Sequence, residues 1–386
     1  MLLRRRALPV LALAALSFAS CSGSDGGAAT LDSVVATLPA AEPTTTLAPT
    51  TTIAPTTTIA PTTTGAEPTA DVVPGAEWAT ADLPDGIDRA AIDGAVDTAF
   101  GAADASARVR SIVVVSGGRI VYERYHPLDD AETIMSSFSV AKSVTSALVG
   151  MLIGDGLLSL DEPAPVAAWS DPSDPRHAIT IEHLLHMASG LEWTEEYGAG
   201  SQAATMFSSN VASEYVASFP LEAQPGEKFE YSTGTTAILA GIVTDTLGGV
   251  AATDEYIRTR LFDPIGITST RLLRDGSGRW FGGLGADSTS RDFARFGLLF
   301  LNDGVWDGTR ILPEDWVDYS RTPSATNPQY GAQWWMLHPD SFEARGLFGQ
   351  IILVSQPNDV VVVINTTRGG DADTLVAAVY DQFAEG

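Results

Sequence analysis

The stretch VAKSVTSALVGMLI, residues 140–153, is apolar on nearly every side of a helix. A helix with no polar face cannot lie on a surface, so the chain must wrap a core around it. Gly154 and Gly156 follow and stop it. Inside this run stands Lys142, one of two lysines in 386 residues against 20 arginines; the other is Lys228. Burial disfavours the ammonium and drives a lysine toward a neutral amine, whereas arginine would keep its proton. Three residues earlier, at the helix N-terminus, is Ser139. Positions i and i+3 share a helix face, so the amine can reach the hydroxyl and take its proton.

The remainder of the chain is able to supply the core. At 45% hydrophobic and 18% charged residues, with aromatics spread along it, it is not a disordered chain. The net charge of −26 argues against a nucleic-acid partner and is explained by a solvated acidic surface.

The first 75 residues have a different character. MLLRRR is a basic start, ALPVLALAALSF a short apolar run, and residues 1–21 together read as a secretory signal too short to span a bilayer. Phe18-Ala19-Ser20-Cys21 resembles a bacterial lipobox, and Cys21 is the only cysteine. An exported protein with one cysteine cannot form an internal disulfide, so Cys21 is the expected lipid attachment site. Residues 22–75 are expected to form a disordered Thr/Pro-rich stalk, with PTTT repeats starting at Pro43, Pro49, Pro55 and Pro61. A six-residue period puts these prolines on one edge of a polyproline II rod, which at about 3.1 Å per residue reaches on the order of 70 Å. The expected location is extracytoplasmic, lipid-anchored to the cell membrane and facing outward on this stalk.

Residues 76–386 form the expected globular domain. GIDRAAIDGAVDTAF, from Gly86, has helical spacing; SIVVVSGGRIVYERY reads as two strands turning at Gly117-Gly118. Near the other end, GQIILVSQPNDVVVVIN repeats the hairpin pattern with its turn at 356–359, and DADTLVAAVYDQFAE closes with a helix. The predicted class is α+β: an antiparallel sheet built from both chain ends and flanked by helices, with a mostly helical inserted region over roughly 140–320.

Three segments occur in a familiar order: FSVAKSVTSALVGMLIGDGLLSLDEP, then ITIEHLLHMASGLEW, then PGEKFEYSTGTTAILAGIV. Together with ADSTSRDFARFGLLFLNDGVWDGTRILPEDWV and RGLFGQIILVSQPNDVVVV, they resemble the serine β-lactamase and DD-peptidase-like superfamily. The likeness is greatest to its class C related branch of penicillin-binding-protein-like esterases and 6-aminohexanoate-oligomer hydrolases. The resemblance runs from about Gly86 to the end and implies a β-lactamase/transpeptidase-like fold.

It also implies roles. Ser139 would be the acylated nucleophile, Lys142 its base and Tyr231, in Tyr231-Ser232-Thr233, the phenol that shuttles protons. A phenolate between two cations would make such a base near neutral pH. The third position of that motif is commonly Asn and is here Thr233; the Lys/His-Thr/Ser-Gly strand motif is represented by Ala344-Arg345-Gly346. Gly346 would let substrate approach the strand edge, and the backbone N–H groups of Leu347 and Ser139 would form the oxyanion hole. Tyr197, in a glycine-rich loop, would close over the substrate.

Other chemistries find less support. His183 and His186 share a helix face without a metal-binding pattern around them, and neither a G-x-S-x-G elbow nor a phosphate loop is present. No metal or cofactor is expected. The expected activity is a serine hydrolase acting on a small-molecule ester or amide substrate. A cell-wall DD-peptidase or β-lactamase, and a catalytically weak surface-tethered binding protein, remain as alternatives.

Overall fold

The structure is a computed structural model and describes residues 72–101, 108–368 and 371–385. The signal segment, Cys21 and the stalk as far as residue 71 lie outside the described residues.

The central sheet has five strands: β1 (Val109–Ser116), β2 (Arg119–Tyr125), β3 (Phe342–Gly346), β4 (Gln350–Ser355) and β5 (Val360–Thr366). Their order is β2-β1-β5-β4-β3, every neighbour antiparallel. The join between the chain ends is the β1–β5 ladder, in which Val113 opposes Val363 and Val115 opposes Val361. Gly117 and Gly118, at φ +56° and +67°, make the tight turn that sends β2 back along β1. The strand alternation then divides the valines between two cores. Ile112, Val114, Val360 and Val362 face α1 (Arg89–Phe100) and the closing helix, Ala372–Ala384. Val113, Val115, Val361 and Val363 face the larger core. Each such valine, removed from water, contributes roughly 1.5–3 kcal/mol.

That larger core is built around α2 (Ala141–Gly154), whose residues from Ala141 to Leu152 are all buried. Against it packs α3 (Thr233–Thr246), while α4 (Ser290–Leu301) lies on β1, β4 and β5 and contributes to the same core. The fit is tight: a Cβ on Gly150 would lie 2.3 Å from the Trp316 indole, and one on Gly297 would lie 2.6 Å from Val361. The architecture is the predicted one, an antiparallel sheet from both ends with helices between. The lower boundary differs from expectation. Val73 packs against the core and Pro74 is buried, because the Arg295 guanidinium reaches back to the carbonyls of Gly75 at 2.7 Å and Ala76 at 3.1 Å. The folded part therefore begins a few residues before 76.

Candidate active site

Ser139 lies in a single 3-10 turn, Phe138–Val140, that leads into α2. Phe138 has φ +43°, a left-handed conformation that strains a bulky side chain. Its neighbours impose it. Ser137 donates from its backbone N–H to Asp287 at 2.9 Å, and its hydroxyl accepts from the Ala286 N–H at 2.8 Å. From the opposite side comes Gly346, the end of β3, where a Cβ would stand 2.4 Å from the Ser137 carbonyl oxygen. Glycine is therefore required there by the close approach of the strand end to the turn that carries Ser139. Leu347 follows at the rim, 43% exposed. Phe348 comes next at φ +68°, its ring edge-on to Phe138 at 5.4 Å. The amides of Ser139 and Leu347 thus each adjoin a left-handed phenylalanine, and the two rings clasp each other.

Lys142 is fully buried one turn into the helix. Its amine contacts Ser139 Oγ at 3.1 Å, Thr233 Oγ1 at 2.8 Å and the Gly283 carbonyl oxygen at 3.0 Å. Burial lowers its pKa to about 8, against the opposing pull of the Glu195 carboxylate. The amine also stands 4.9 Å from the centre of the Tyr231 ring. Tyr231 enters just before α3, whose first turn is capped by Ser232 accepting from the Thr235 N–H at 2.8 Å.

The Tyr231 phenol has its pKa pushed up by burial, while its hydrogen bond with Ser139 pulls it down. The phenolate between two cations expected from the sequence is therefore corrected to a neutral phenol. Arg345, on β3, is committed to Glu343 and Asp373, each at 2.5 Å, and Glu343 is itself fully buried and also bonded to His338.

A carboxylate that the sequence reading did not single out completes the site. Glu195 accepts from the Thr233 N–H at 2.9 Å, the Trp193 indole N–H at 2.6 Å and the Tyr197 hydroxyl at 2.5 Å, and from the Thr233 hydroxyl. Tyr197 is 46% exposed and stacks on Phe207, so it stands at the mouth with its hydroxyl tied inward. Gly283 was missed too. Its signal was the Gly282-Gly283 pair, since a Cβ at 283 would lie 2.8 Å from the Thr233 carbonyl oxygen. Glu195 had a weaker signal, an acidic pair beside Tyr197 in a glycine-rich loop.

The adjacent tryptophans divide. Trp334 is buried among Phe296, Phe300 and Phe342. Trp335 lies 5.5 Å from the Tyr231 ring and, with Tyr330 and Phe229, makes an aromatic wall beside it. His183 and His186 are accounted for by packing. His183 closes a capping box with Thr180, and His186 lies against Tyr319 with its pKa lowered to about 4 by burial. Among the described residues no cluster of three metal-ligating side chains is assembled.

The site can therefore present a serine hydroxyl between a buried amine and a neutral phenol, at the rim where two strained turns expose backbone amides. Comparison with known proteins agrees in kind. The family model described as Beta-lactamase matches residues 96–384. The 6-aminohexanoate-dimer hydrolase of Paenarthrobacter ureafaciens is 25% identical over 289 residues, 66% of this chain and 71% of that protein. Penicillin-binding protein 4 of Amycolatopsis lactamdurans is 29% identical over 215 residues, 47% of this chain and 54% of that one. Among solved structures, a Bacillus anthracis protein inferred to be a 6-aminohexanoate-dimer hydrolase superposes with a TM-score of 0.64 at 23% identity, over 82% of this chain and 88% of its own. A penicillin-binding protein homologue from Caulobacter crescentus gives 0.60 at 15%, over 78% and 99%. These last two likenesses are of fold.

Proposed function

Since the chain belongs to the beta-lactamase family, we propose that it is a serine hydrolase cleaving small ester or amide bonds through an acyl-enzyme on Ser139. The observation that carries the reading is the Lys142 amine, buried and 3.1 Å from Ser139 Oγ. The Ser139 oxygen attacks the substrate carbonyl carbon while its proton passes to the neutral Lys142 amine. The backbone N–H groups of Ser139 and Leu347 receive the developing oxyanion. Tyr231, protonated in the resting site, gives its proton to the leaving group; in deacylation water gives a proton to the Tyr231 phenolate as its oxygen attacks the acyl carbon, and the departing Ser139 Oγ takes back the proton held on Lys142. Tyr197 closes the mouth, and the aromatic wall of Trp335 and Tyr330 receives the apolar part of the substrate.

β-Lactam or peptide substrates are less well served, because Thr233 is engaged with Glu195 and Arg345 with Glu343 and Asp373. The proposed location remains the outer face of the membrane, through lipid on Cys21. No single helix among the described residues is long and apolar enough to cross a bilayer. A Cys21→Ser protein that still partitions with membranes would end that part of the proposal.

The test of the chemistry is exposure of the full chain to a fluorophosphonate, followed by peptide mass mapping and p-nitrophenyl ester turnover. One adduct on Ser139, absent in Ser139→Ala and accompanied by turnover, is the expected result. A folded protein with neither adduct nor turnover would overturn the reading.

A further inference from the structure

The three neighbours of the Lys142 amine are not equivalent. The Gly283 carbonyl oxygen can only accept a hydrogen bond. The Thr233 hydroxyl has one proton to give, and it gives it to Glu195, which as a carboxylate can only accept. Toward Lys142, then, Thr233 Oγ1 must accept. A neutral amine has two N–H groups and one lone pair. With its two protons claimed by Gly283 and Thr233, the lone pair is left for the third neighbour, the Ser139 hydroxyl. Glu195 itself is held in place by the Trp193 indole and by the Thr233 backbone N–H at the start of α3.

We infer that Glu195 is a positioning residue of the proton-transfer unit: acting through the Thr233 hydroxyl, it aims the lone pair of Lys142 at Ser139 and stabilises the ammonium that forms there. The step balances within the site. The Ser139 O–H bond breaks as the Oγ–carbon bond forms, the proton becomes the third N–H of Lys142, and the positive charge faces Glu195 across one hydroxyl. Glu195 gains no proton. Its part resembles that of a carboxylate oriented behind a basic side chain, with threonine as the intermediary.

The proposal rests on the Ser139 reading above and adds to it a direction for every hydrogen bond at the amine. The charged or ionisable groups around the pair are Tyr231, whose ring faces the amine, with Tyr197 bonded to Glu195 and Tyr330 coupled to its charge. Arg345 is held by its own carboxylates. A glutamine at 195 removes the negative charge and can turn its NH2 toward Thr233, which frees the hydroxyl proton to compete with Ser139 for the lone pair.

The experiment is the rate of Ser139 labelling by a fluorophosphonate from pH 5 to 10, on the full chain, for the wild type and for Glu195→Gln, Thr233→Val, Thr233→Ser and the Gln/Val double variant. Circular dichroism checks that each is folded. The expected result is a loss of about tenfold or more at the plateau in Glu195→Gln, with the pH midpoint moved below that of the wild type. Thr233→Val should lose as much, the double variant no more than either single one, and Thr233→Ser should restore labelling to near wild type. If Glu195→Gln labels like the wild type with the same midpoint, or loses rate with an unmoved midpoint, or adds its loss to that of Thr233→Val, the relay is overturned while the nucleophile stands. If the wild type itself does not label, both readings fall together.

Discussion

The two lysines of this chain occupy regions that ask opposite things of the same side chain. Lys228 lies on the surface with Glu222 at 2.7 Å and Glu230 at 2.9 Å, and these hydrogen-bonded carboxylates raise its pKa. Lys142 is enclosed by α2, α3 and the Gly283 turn, and burial lowers its pKa to about 8. The first lysine is a charge at rest in solvent; the second is a base kept near the point of losing its proton. Only two residues separate Lys228 from Tyr231 of the site, so neighbourhood along the chain does not set a lysine's chemistry. What sets it is whether water or protein surrounds the amine.

The sharpest way to break this comparison is to remove each amine in turn. Lys142→Met should lower ester turnover by about a thousandfold or more, as loss of a positioned base does. Comparable turnover in that variant would show that Lys142 is only a buried structural amine. The comparison also predicts a pH-dependent stability. Because the pKa of Lys142 is lower folded, about 8, than its ordinary value of 10.5, its charge disfavours folding fully below pH 8. That penalty is lost as pH rises to 10.5. Urea unfolding should therefore show wild type gaining about 3 kcal/mol relative to Lys142→Met across this window. A difference that stays flat with pH would mean the amine is not buried as described. Catalysis should report the same group: kcat/KM for a neutral ester should climb through a midpoint near pH 8, where the amine loses its proton. The smallest effect belongs to Lys228→Met. An exposed ion pair contributes less than about 1 kcal/mol, so its urea midpoint, turnover and pH profile should match the wild type closely.

Much of this was open to reading from residues alone, and the reason differs by element. The two hairpins were legible because strand alternation and the Gly117-Gly118 turn are local properties, and the turn at 356–359 lies between β4 and β5 as expected. The buried helix and its Ser139–Lys142 spacing were legible because one turn of helix brings i and i+3 together wherever the helix lies. Tyr231 was named only through the order of motifs that carries the family resemblance. The protonation of Tyr231 was misjudged because it is set by how completely the fold buries the phenol, with smaller parts played by its hydrogen bond with Ser139 and by the charge of Glu195. Trp334 and Trp335 could not be separated until the fold turned one toward α4 and the other toward Tyr231.

By itself, the sequence determined that this chain has a core helix with a lysine inside it, a serine one turn before that lysine, and a sheet contributed by both ends. Those are consequences of side-chain period and polarity, which act over a few residues. Only the tertiary structure decided what surrounds the amine. Thr233 is 91 residues from Lys142 and Gly283 is 141 away, and Glu195 reaches it through Thr233 from a separate loop. Hydrogen-bond direction and burial depend on which groups share a few ångströms of space, and no local pattern encodes that.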